Sequence, residues 1–327
     1  MKNHCHLEAA DLQEYAKQVF GNSYSVTKVS KMEGGAQKVV YKLDCTGGFS
    51  CILYVWDLAM NYFREEIVTD QVHAQSYGSE YFELNNRYLI EHSIRTPLLY
   101  DMNRSRDQYD FDYALVEYIP GKAAEAYFEH PDPRVKEHIF QQIGELIRTM
   151  HRGESGTYGK PGQGLAASSQ RPCHLNQLNN GIAQLSYAAE HHEVIRKNQG
   201  KLLDKLYELE SRITPRRRYG FIHGELGPNH IMVTEEQLEP CLIDIEGSEF
   251  YDIEYEHSFL ELRFGGFYRY LKNDRLDENR LRFYKFHHHL SLISGGLKLL
   301  QRGFPDQQLA RAILDCHTEY ALQYIEG

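Results

Sequence analysis

Long apolar runs are absent from this sequence. None reaches the ~18 residues that a membrane-spanning helix requires, so neither a membrane-spanning protein nor a membrane partner is expected. The first residues, MKNHCHLEAADLQEY, contain no apolar core of the kind that a secretory signal carries. Both absences favour a cytoplasmic protein.

Cysteine pairs and a surplus of positive charge are also missing. The six cysteines, at positions 5, 45, 51, 173, 241 and 316, form no CxxC pair. This disfavours a zinc ribbon or a disulfide framework and is typical of reduced thiols. The net charge is −10, whereas nucleic-acid-binding proteins usually carry a basic surplus. We therefore expect no nucleic-acid partner, and a cationic small molecule is favoured over an anionic one.

The chain is long enough and apolar enough to bury a large core. Its 327 residues are 42% hydrophobic and 25% charged, which is ordinary for a globular protein. A chain of this length buries roughly three quarters of its unfolded surface. One large domain and two lobes are both compatible with it.

The first part of the chain is rich in strand signals. Three runs of β-branched and aromatic residues occupy 24–30, 38–44 and 50–56. The pairs Gly34-Gly35 and Gly47-Gly48 lie between these runs and predict turns. The pattern therefore indicates a three-stranded antiparallel meander. A further strand at 113–121, YALVEYIPG, is expected to stop at its Pro-Gly pair.

Helical patterns dominate after residue 120. Apolar residues recur at helical spacing in 7–20, 78–93, 133–151, 174–212 and most of 255–325. A polar loop at 153–172 separates the pattern at 133–151 from the one at 174–212. We therefore expect an α+β protein whose β-rich and helical parts meet near residue 120.

One segment, residues 221–247, concentrates the side chains that carry chemistry. FIHGELGPNHIMV predicts a strand end, a tight turn and a second strand, and CLIDIEG predicts another strand that ends at Asp244 and Glu246. Two short strands joined by a hairpin would project Glu225, His230 and Asp244 into one cleft. These groups suit a divalent cation and a nucleophilic hydroxyl, and a hairpin with incidental acids is the alternative.

Three other motifs predict no catalytic function. GESGTYGKP, 153–161, is a surface loop rather than a phosphate loop, because five residues separate its first and last glycines and Pro161 follows the lysine. The histidine run 287–289 lies on a predicted helix, where neighbours point about 100° apart, so packing and solvent contacts are expected rather than a metal. The arginine run 216–218 is expected to be a solvated run before a strand, with phosphate contact as the alternative.

The segment 221–247 resembles the catalytic signature of the aminoglycoside and macrolide phosphotransferases, which are relatives of the choline kinases with a protein-kinase-like fold. The family pattern is His-Gly-Asp, four residues, Asn or His, and then Ile-Asp-x-Asp or Ile-Asp-x-Glu. HGELGPNHI followed by LIDIEG is similar to it. Further matches follow in the family's order, from the nucleotide loop GGAQKVVYKL and the hinge LVEYIPG to IGELIRTMH and YDIEYE. The resemblance implies a bilobal fold with a small β-rich N-lobe, 1–119, and a larger, mostly helical C-lobe, 120–327.

The resemblance also implies roles for particular residues in the C-lobe. Glu225 takes the catalytic place, where the family has the shorter Asp. His230 and Asp244 take the places of the residues that bind Mg²⁺, and His is the residue found there in the macrolide enzymes. Asp252 takes the place of an acid that braces the catalytic loop, and His223 is expected to give structural support.

The co-substrate that the resemblance implies is ATP or GTP. Gly34 and Gly35 belong to the nucleotide loop, and the backbone of Glu117 and Ile119 would face the base. The family's phosphate-binding lysine is replaced by Tyr54.

Two lysines of the second strand, Lys38 and Lys42, are candidates to replace that lysine, since the period of two places them on one face. We assign Lys42 to the nucleotide, with Lys38 as the alternative. In the family the lysine is paired with an acid on the following helix. Here that acid is expected to be Glu83, or else Glu80.

The implied function is transfer of the γ-phosphate of ATP or GTP to a hydroxyl of a small acceptor. The acidic stretch EGSEFYDIEYEHSFLE, 246–261, favours a cationic acceptor, such as an aminoglycoside or a macrolide with an amino sugar. Because Glu225 and Tyr54 depart from the family pattern, a pseudokinase-type nucleotide- or ligand-binding protein is the alternative. A metal-dependent hydrolase would not explain the hinge and the nucleotide loop. The oligomeric state and the choice between ATP and GTP stay open.

Overall fold

The computed structural model of the chain describes residues 5–32, 37–69, 76–162 and 171–326. The described residues divide into two compact units. The first falls within Met1–Ile139 and Asn229–Gly247, and the second within Phe140–Pro228 and Ser248–Gly327. These bounds differ from the predicted division near residue 120, because the chain crosses within a continuous helix and later returns to the first unit. In all, the chain changes units three times, at 139/140, 228/229 and 247/248.

Short strands form one large and two small sheets. In chain order they are β1 Val26–Lys31, β2 Val39–Cys45, β3 Ser50–Trp56, β4 Leu99–Asn103, β5 Asp112–Glu117, β6 Gly121–Ala123, β7 Glu154–Ser155, β8 Tyr219–Ile222, β9 Ile231–Thr234, β10 Pro240–Leu242 and β11 Glu249–Tyr251. The large sheet is antiparallel in the order β1-β2-β3-β5-β4. The predicted meander is therefore confirmed as β1–β2–β3. Along β2 every second side chain is buried, as expected for a strand with one face on a core.

Helices complete both units. In chain order they are α1 Ala9–Phe20, α2 Arg64–Thr69, α3 Ser79–Glu91, α4 Pro133–His151, α5 His174–His191, α6 Glu193–Glu210, α7 Ile253–Phe264, α8 Tyr268–Leu271, α9 Glu278–Gln301 and α10 Gln307–Gln323. The predicted helices are all present, and 174–212 is divided in two by His192, whose backbone is extended. In the second unit, α9 packs against α5, α6, α7 and α10.

The two small sheets lie in different units. In the first unit the strand order is β10-β9-β6, and in the second it is β11-β8-β7. The expected hairpin forms between β9 and β10, but β8 pairs with β7 and β11 rather than with β9. The chain therefore changes units between β8 and β9, as it also does once before, at residues 139/140, and once after, at residues 247/248. Residue 121 in β6 has to be a glycine, because a Cβ atom there would lie 1.9 Å from the carbonyl oxygen of Val233 on the neighbouring strand.

The histidine run of α9 is packed inside the second unit. His287, His288 and His289 are all buried, and each ring contacts a different partner. Nε2 of His288 donates to the carbonyl of Tyr255 at 3.0 Å, whereas Nδ1 of His289 lies 2.9 Å from Nδ1 of His317. The expectation of packing rather than metal binding therefore agrees with the observed contacts.

Two further expectations from composition can be compared with the described residues. Across the described ranges, no helix has both the length and the apolar character needed to cross a membrane. All six cysteines are free thiols, and four of them are buried. The structure thus contains no disulfide framework within the described residues.

Candidate active site

The β9–β10 hairpin brings His230 and Asp244 together in the first unit. Leu242 pairs with Ile231 in the ladder, and the N–H of Ile243 donates to the carbonyl of His230 at 3.0 Å. As a result, Nε2 of His230 lies 3.4 Å from Oδ2 of Asp244. Asp244 has a φ of 62°, in the left-handed region that short polar side chains tolerate better than most.

Lys38 is the cation that contacts the acids of this hairpin. Its Nζ donates to Oδ1 of Asp244 and to Oε1 of Glu246, the latter at 2.7 Å. The Lys38 and Glu246 side chains are only 7% and 6% exposed, whereas that of Asp244 is 41% exposed. Burial lowers the pKa of Lys38, but the two carboxylates more than offset this and raise it above its ordinary value. Lys38 is therefore charged, and Asp244 is the accessible member of the cluster.

Glu246 is held in place by two other elements. Nε1 of Trp56, on β3, donates to Oε1 of Glu246 at 3.0 Å. The buried Asn85, on α3, donates from Nδ2 to the carbonyls of Ile245 and Glu246 at 2.7 and 3.1 Å. The sequence places Glu246 at a strand end without indicating its role, and it does not single out Trp56 or Asn85. The second acid of LIDIEG, two residues after Asp244, is the sequence feature that points to Glu246.

Tyr54 and Lys42 occupy different environments on the large sheet. The Nζ atom of Lys38 lies 5.0 Å from the ring centroid of Tyr54. Nζ of Lys42, the residue predicted to contact the nucleotide, lies 3.2 Å from Oδ1 of Asp44 and 4.1 Å from the ring centroid of Tyr118. The period of two along the strand places Lys38 and Lys42 on the same face and does not distinguish them. In the structure, Lys38 contacts Asp244, whereas Lys42 contacts Asp44.

The predicted hinge contains a structural ion pair. Arg95 binds the carboxylate of Glu117 with both terminal nitrogens, at 2.5 and 2.8 Å. The N–H of Glu117 donates to the carbonyl of Leu98 at 2.9 Å. Burial would raise the pKa of Glu117, but Arg95 and the N–H of Leu98 lower it below its ordinary value. Ile119, two residues further, is buried.

The remaining residues predicted for the nucleotide site are two glycines and the acids of α3. Gly34 and Gly35 lie outside the described residues. The side chain of Glu83, the expected partner of the family's lysine, pairs with Arg104 at 2.8 Å, and Glu80 is exposed on the same helix. The buried acid that contacts Lys38 is Glu246.

In the second unit, the loop after β8 presents Glu225. The N–H groups of His223 and Gly224 donate to Oε1 of Glu256 at 2.8 and 3.0 Å. Gly224 has a φ of 90°, which glycine adopts without strain. Glu225 is exposed, and its N–H donates to Nδ1 of the buried His223 at 3.4 Å. The predicted supporting role of His223 is consistent with this contact.

Glu256 accepts from the backbone of this loop, whereas Asp252, the predicted brace, has other partners. Nε2 of His151 lies 2.7 Å from Oε2 of Glu256, and both side chains are buried. Asp252 precedes α7 and accepts from Arg280 and Tyr284 of α9, the latter at 2.5 Å. Glu256 lies in the first turn of α7, next to β8, so only this acid reaches the loop backbone.

Most of the acidic stretch 246–261 is neutralised by ion pairs. Its charges are matched by side chains in four ion pairs: Glu246 with Lys38, Asp252 with Arg280, Glu254 with Arg216 and Glu261 with Lys285. Arg216, expected to be solvated, is therefore partly buried. Glu249 differs, because burial raises its pKa and the charge of Lys160 only partly opposes this. The stretch does not form a broad acidic surface.

Residues 67–279 of the chain match the phosphotransferase enzyme family. The chain belongs to this family. No curated protein matches the chain. The match includes Glu225, His230 and Asp244, and its description agrees with the resemblance drawn from the sequence.

Solved structures of phosphotransferases are similar over nearly the whole chain. A thermostable mutant of aminoglycoside phosphotransferase APH(4)-Ia has 16% identity and a TM-score of 0.63, with 94% of this chain and 98% of that chain covered. Spectinomycin phosphotransferase APH(9)-Ia has 15% identity and a TM-score of 0.64, with 98% of this chain and 99% of that chain covered. Choline kinase LicA from Streptococcus pneumoniae has 12% identity and a TM-score of 0.60, with 97% of this chain and 98% of that chain covered. Likeness at these identities shows the fold alone, and the predicted bilobal, protein-kinase-like α+β fold is confirmed.

Proposed function

We propose that this protein transfers the γ-phosphate of ATP or GTP to a hydroxyl group of a small molecule. The observation that carries the proposal is the meeting of His230 and Asp244 at the end of one hairpin. Membership of the phosphotransferase family supports the class of reaction. Similar structures contain AMP-PNP with hygromycin B, ADP with spectinomycin, and GDP with kanamycin, which supports a nucleotide and a small acceptor as partners.

Asp244 and His230 are the residues that would hold Mg²⁺. This ion usually takes one or two carboxylates from a protein and fills its other positions with water and phosphate oxygens. The half-exposed Asp244 carboxylate, which already accepts from a cationic lysine, fits that requirement. In the ranges that the structure covers, no three His, Cys, Asp or Glu side chains are grouped to hold a metal. When bound, Mg²⁺ would offset the negative charge of the phosphates.

Glu225 is proposed to orient the acceptor hydroxyl and to take its proton. The acceptor oxygen forms a bond to the γ-phosphorus, and the bond from that phosphorus to the β–γ bridging oxygen breaks. The hydroxyl proton passes to the Glu225 carboxylate, and ADP or GDP leaves. Glu225 suits this role because it is exposed on a loop whose preceding two N–H groups are fixed by Glu256.

We propose a cationic acceptor, such as an aminoglycoside or a macrolide with an amino sugar, because acidic residues lie near the proposed base. Ion pairs neutralise most of the stretch 246–261, so the attraction would come from fewer groups than its composition suggests. Glu225 is the strongest candidate, because it is exposed and its charge acts with burial to raise the pKa of Tyr255. A carboxylate close to an aromatic ring suits an ammonium group.

A nucleotide-binding assay followed by an acceptor screen tests the proposal. We expect ATP or GTP to raise the melting temperature in the presence of Mg²⁺, and an amine-bearing alcohol to be phosphorylated with release of ADP or GDP. Neutral sugars of similar size serve as control acceptors. No stabilisation by either nucleotide would contradict the proposal, and binding without transfer to any acceptor would favour the pseudokinase alternative.

A further inference from the structure

A lysine outside the family pattern lies at the acids of the candidate nucleotide site. The family's position for a phosphate-binding lysine is occupied by Tyr54, and Lys38 lies beside it. We propose that Lys38 binds the nucleotide phosphates in this protein, and that Glu246 and Trp56 anchor it. This inference rests on the proposed function, because it requires a nucleotide at Asp244.

The contacts of Lys38 suit a phosphate-binding group. An ammonium carries three N–H donors, and within the described ranges its hydrogen-bond acceptors are one oxygen of Asp244 and one of Glu246. A further donor therefore remains for a phosphate oxygen while the bond to Glu246 is kept. The alternative, Lys42, faces Asp44 and Tyr118 instead.

The anchor of this lysine differs from the one that the family pattern implies. Glu246 lies two residues beyond Asp244, so one chain segment carries both the accessible acid and the acid that fixes the lysine. Trp56 donates to the same Glu246 oxygen as Lys38 does, at 3.0 Å. The helix acid Glu83 pairs with Arg104 and does not contribute. The lysine is thus positioned by β3 and the segment after β10.

The charge balance gives the inference a distinctive consequence. The formal charges of Lys38, Asp244 and Glu246 sum to −1. A divalent ion on Asp244 makes the cluster positive, which attracts a polyphosphate. Without the lysine charge, the formal charge of the cluster would be −2, and binding of the divalent ion would bring it only to zero. Loss of Lys38 should therefore weaken nucleotide binding but not the binding of Mg²⁺ alone.

The test replaces the lysine by an uncharged side chain of similar length. In Lys38→Met, the affinity for ATP and GTP with Mg²⁺ should fall on the order of tenfold or more, as expected for loss of a charge-assisted hydrogen bond. Binding of Mg²⁺ without nucleotide should be unchanged or tighter. Fluorescence of Trp56, the single tryptophan, and calorimetry give both affinities. The control is Lys28→Met, an exposed lysine on β1, which should change neither.

Two further variants separate ligand binding from folding. Lys38→Met leaves the buried Glu246 without its cation, so the double variant Lys38→Met/Glu246→Gln removes both charges together. It should melt near the wild-type temperature and still bind nucleotide weakly. Adding Tyr54→Lys to Lys38→Met should restore part of the affinity, because the new ammonium extends from the strand beside the same acids.

The opposite outcomes are equally distinct. Nucleotide affinity within about threefold of wild type in both Lys38 variants would overturn the inference, as would a loss in Lys42→Met without one in Lys38→Met. A parallel loss of Mg²⁺ binding would make Lys38 a structural residue and would also overturn it. If the wild-type protein bound neither nucleotide, the proposed function itself would fail.

Discussion

His151 and Glu256 form a buried pair in which Nε2 of the histidine lies 2.7 Å from Oε2 of the carboxylate. The other carboxylate oxygen accepts from the N–H groups of His223 and Gly224. One side chain therefore ties the end of α4 to the loop that presents Glu225. The position of the proposed base depends on this brace, although Glu256 itself has no place in the chemistry.

The first prediction tests the brace with Glu256→Gln, which keeps the size of the side chain and removes its charge. We expect the unfolding free energy to fall by about 1–3 kcal/mol, the usual effect of a lost charged hydrogen bond in a buried site. Turnover should fall more than nucleotide affinity, because the change acts on the loop of Glu225. Glu261→Gln, on the same helix but paired at its surface with Lys285, is the control. Equal effects of the two substitutions on turnover would contradict the prediction.

The second prediction concerns Glu225→Gln. The substitution keeps the shape of the side chain but removes its ability to take a proton, so turnover should fall on the order of 10² or more. Affinity for ATP or GTP should change little. Stability should also be nearly unchanged, since Glu225 is exposed. Turnover and nucleotide affinity, measured on the same preparation, check this, and turnover within a few-fold of wild type would make Glu225 a structural residue.

Local patterns were sufficient to predict most elements of the fold. The meander and the long helices follow from period-two and helical spacing, because each element buries one face of its own sequence. The crossing of the chain between units was not predictable in this way. It depends on which strands pair with β8. Those strands are β7 and β11, and β7 is distant from β8 in the sequence, so local patterns do not reveal the pairing.

The candidate site was only partly accessible from sequence. His230 and Asp244 stand at the ends of paired strands, so their proximity follows from local signals. Lys38 and Glu246 lie far apart in the chain, and only packing of the first unit brings them into contact. Asp252 and Glu256 have the same chemistry one helical turn apart, and their neighbours decide which one braces the loop.

The third prediction concerns Asp244→Asn, which keeps the side chain nearly isosteric and removes the charge proposed to hold Mg²⁺. In the wild-type protein, Mg²⁺ should increase the stabilisation by ATP or GTP. In the variant this increase should be lost, because an amide is a poor ligand for a hard divalent ion compared with a carboxylate. Lys38 retains Glu246 as a partner, so the fold should persist.

Melting temperatures with nucleotide, measured with Mg²⁺ and with a chelator, check the Asp244 prediction. Asp44→Asn is the matched control, since Asp44 also pairs with a lysine of the large sheet but lies away from Asp244. A Mg²⁺-dependent shift of the same size in Asp244→Asn and in wild type would rule out Asp244 as the metal ligand.

The last prediction concerns the pH dependence of stability, and His288 is the residue that tests it. Burial lowers its pKa from 6.5 to about 4 in the folded protein. Between these values the unfolded chain binds more protons, so stability is complete above about 6.5 and falls as the pH drops toward 4. From pH 6.5 to 5 the loss is about 2 kcal/mol. His288→Gln, whose amide can still donate to the carbonyl of Tyr255, should reduce this acid-induced loss, whereas the exposed His191→Gln should not. Denaturant unfolding at pH 7 and pH 5 measures the difference, and an equal loss in wild type and His288→Gln would show that the buried ring does not contribute.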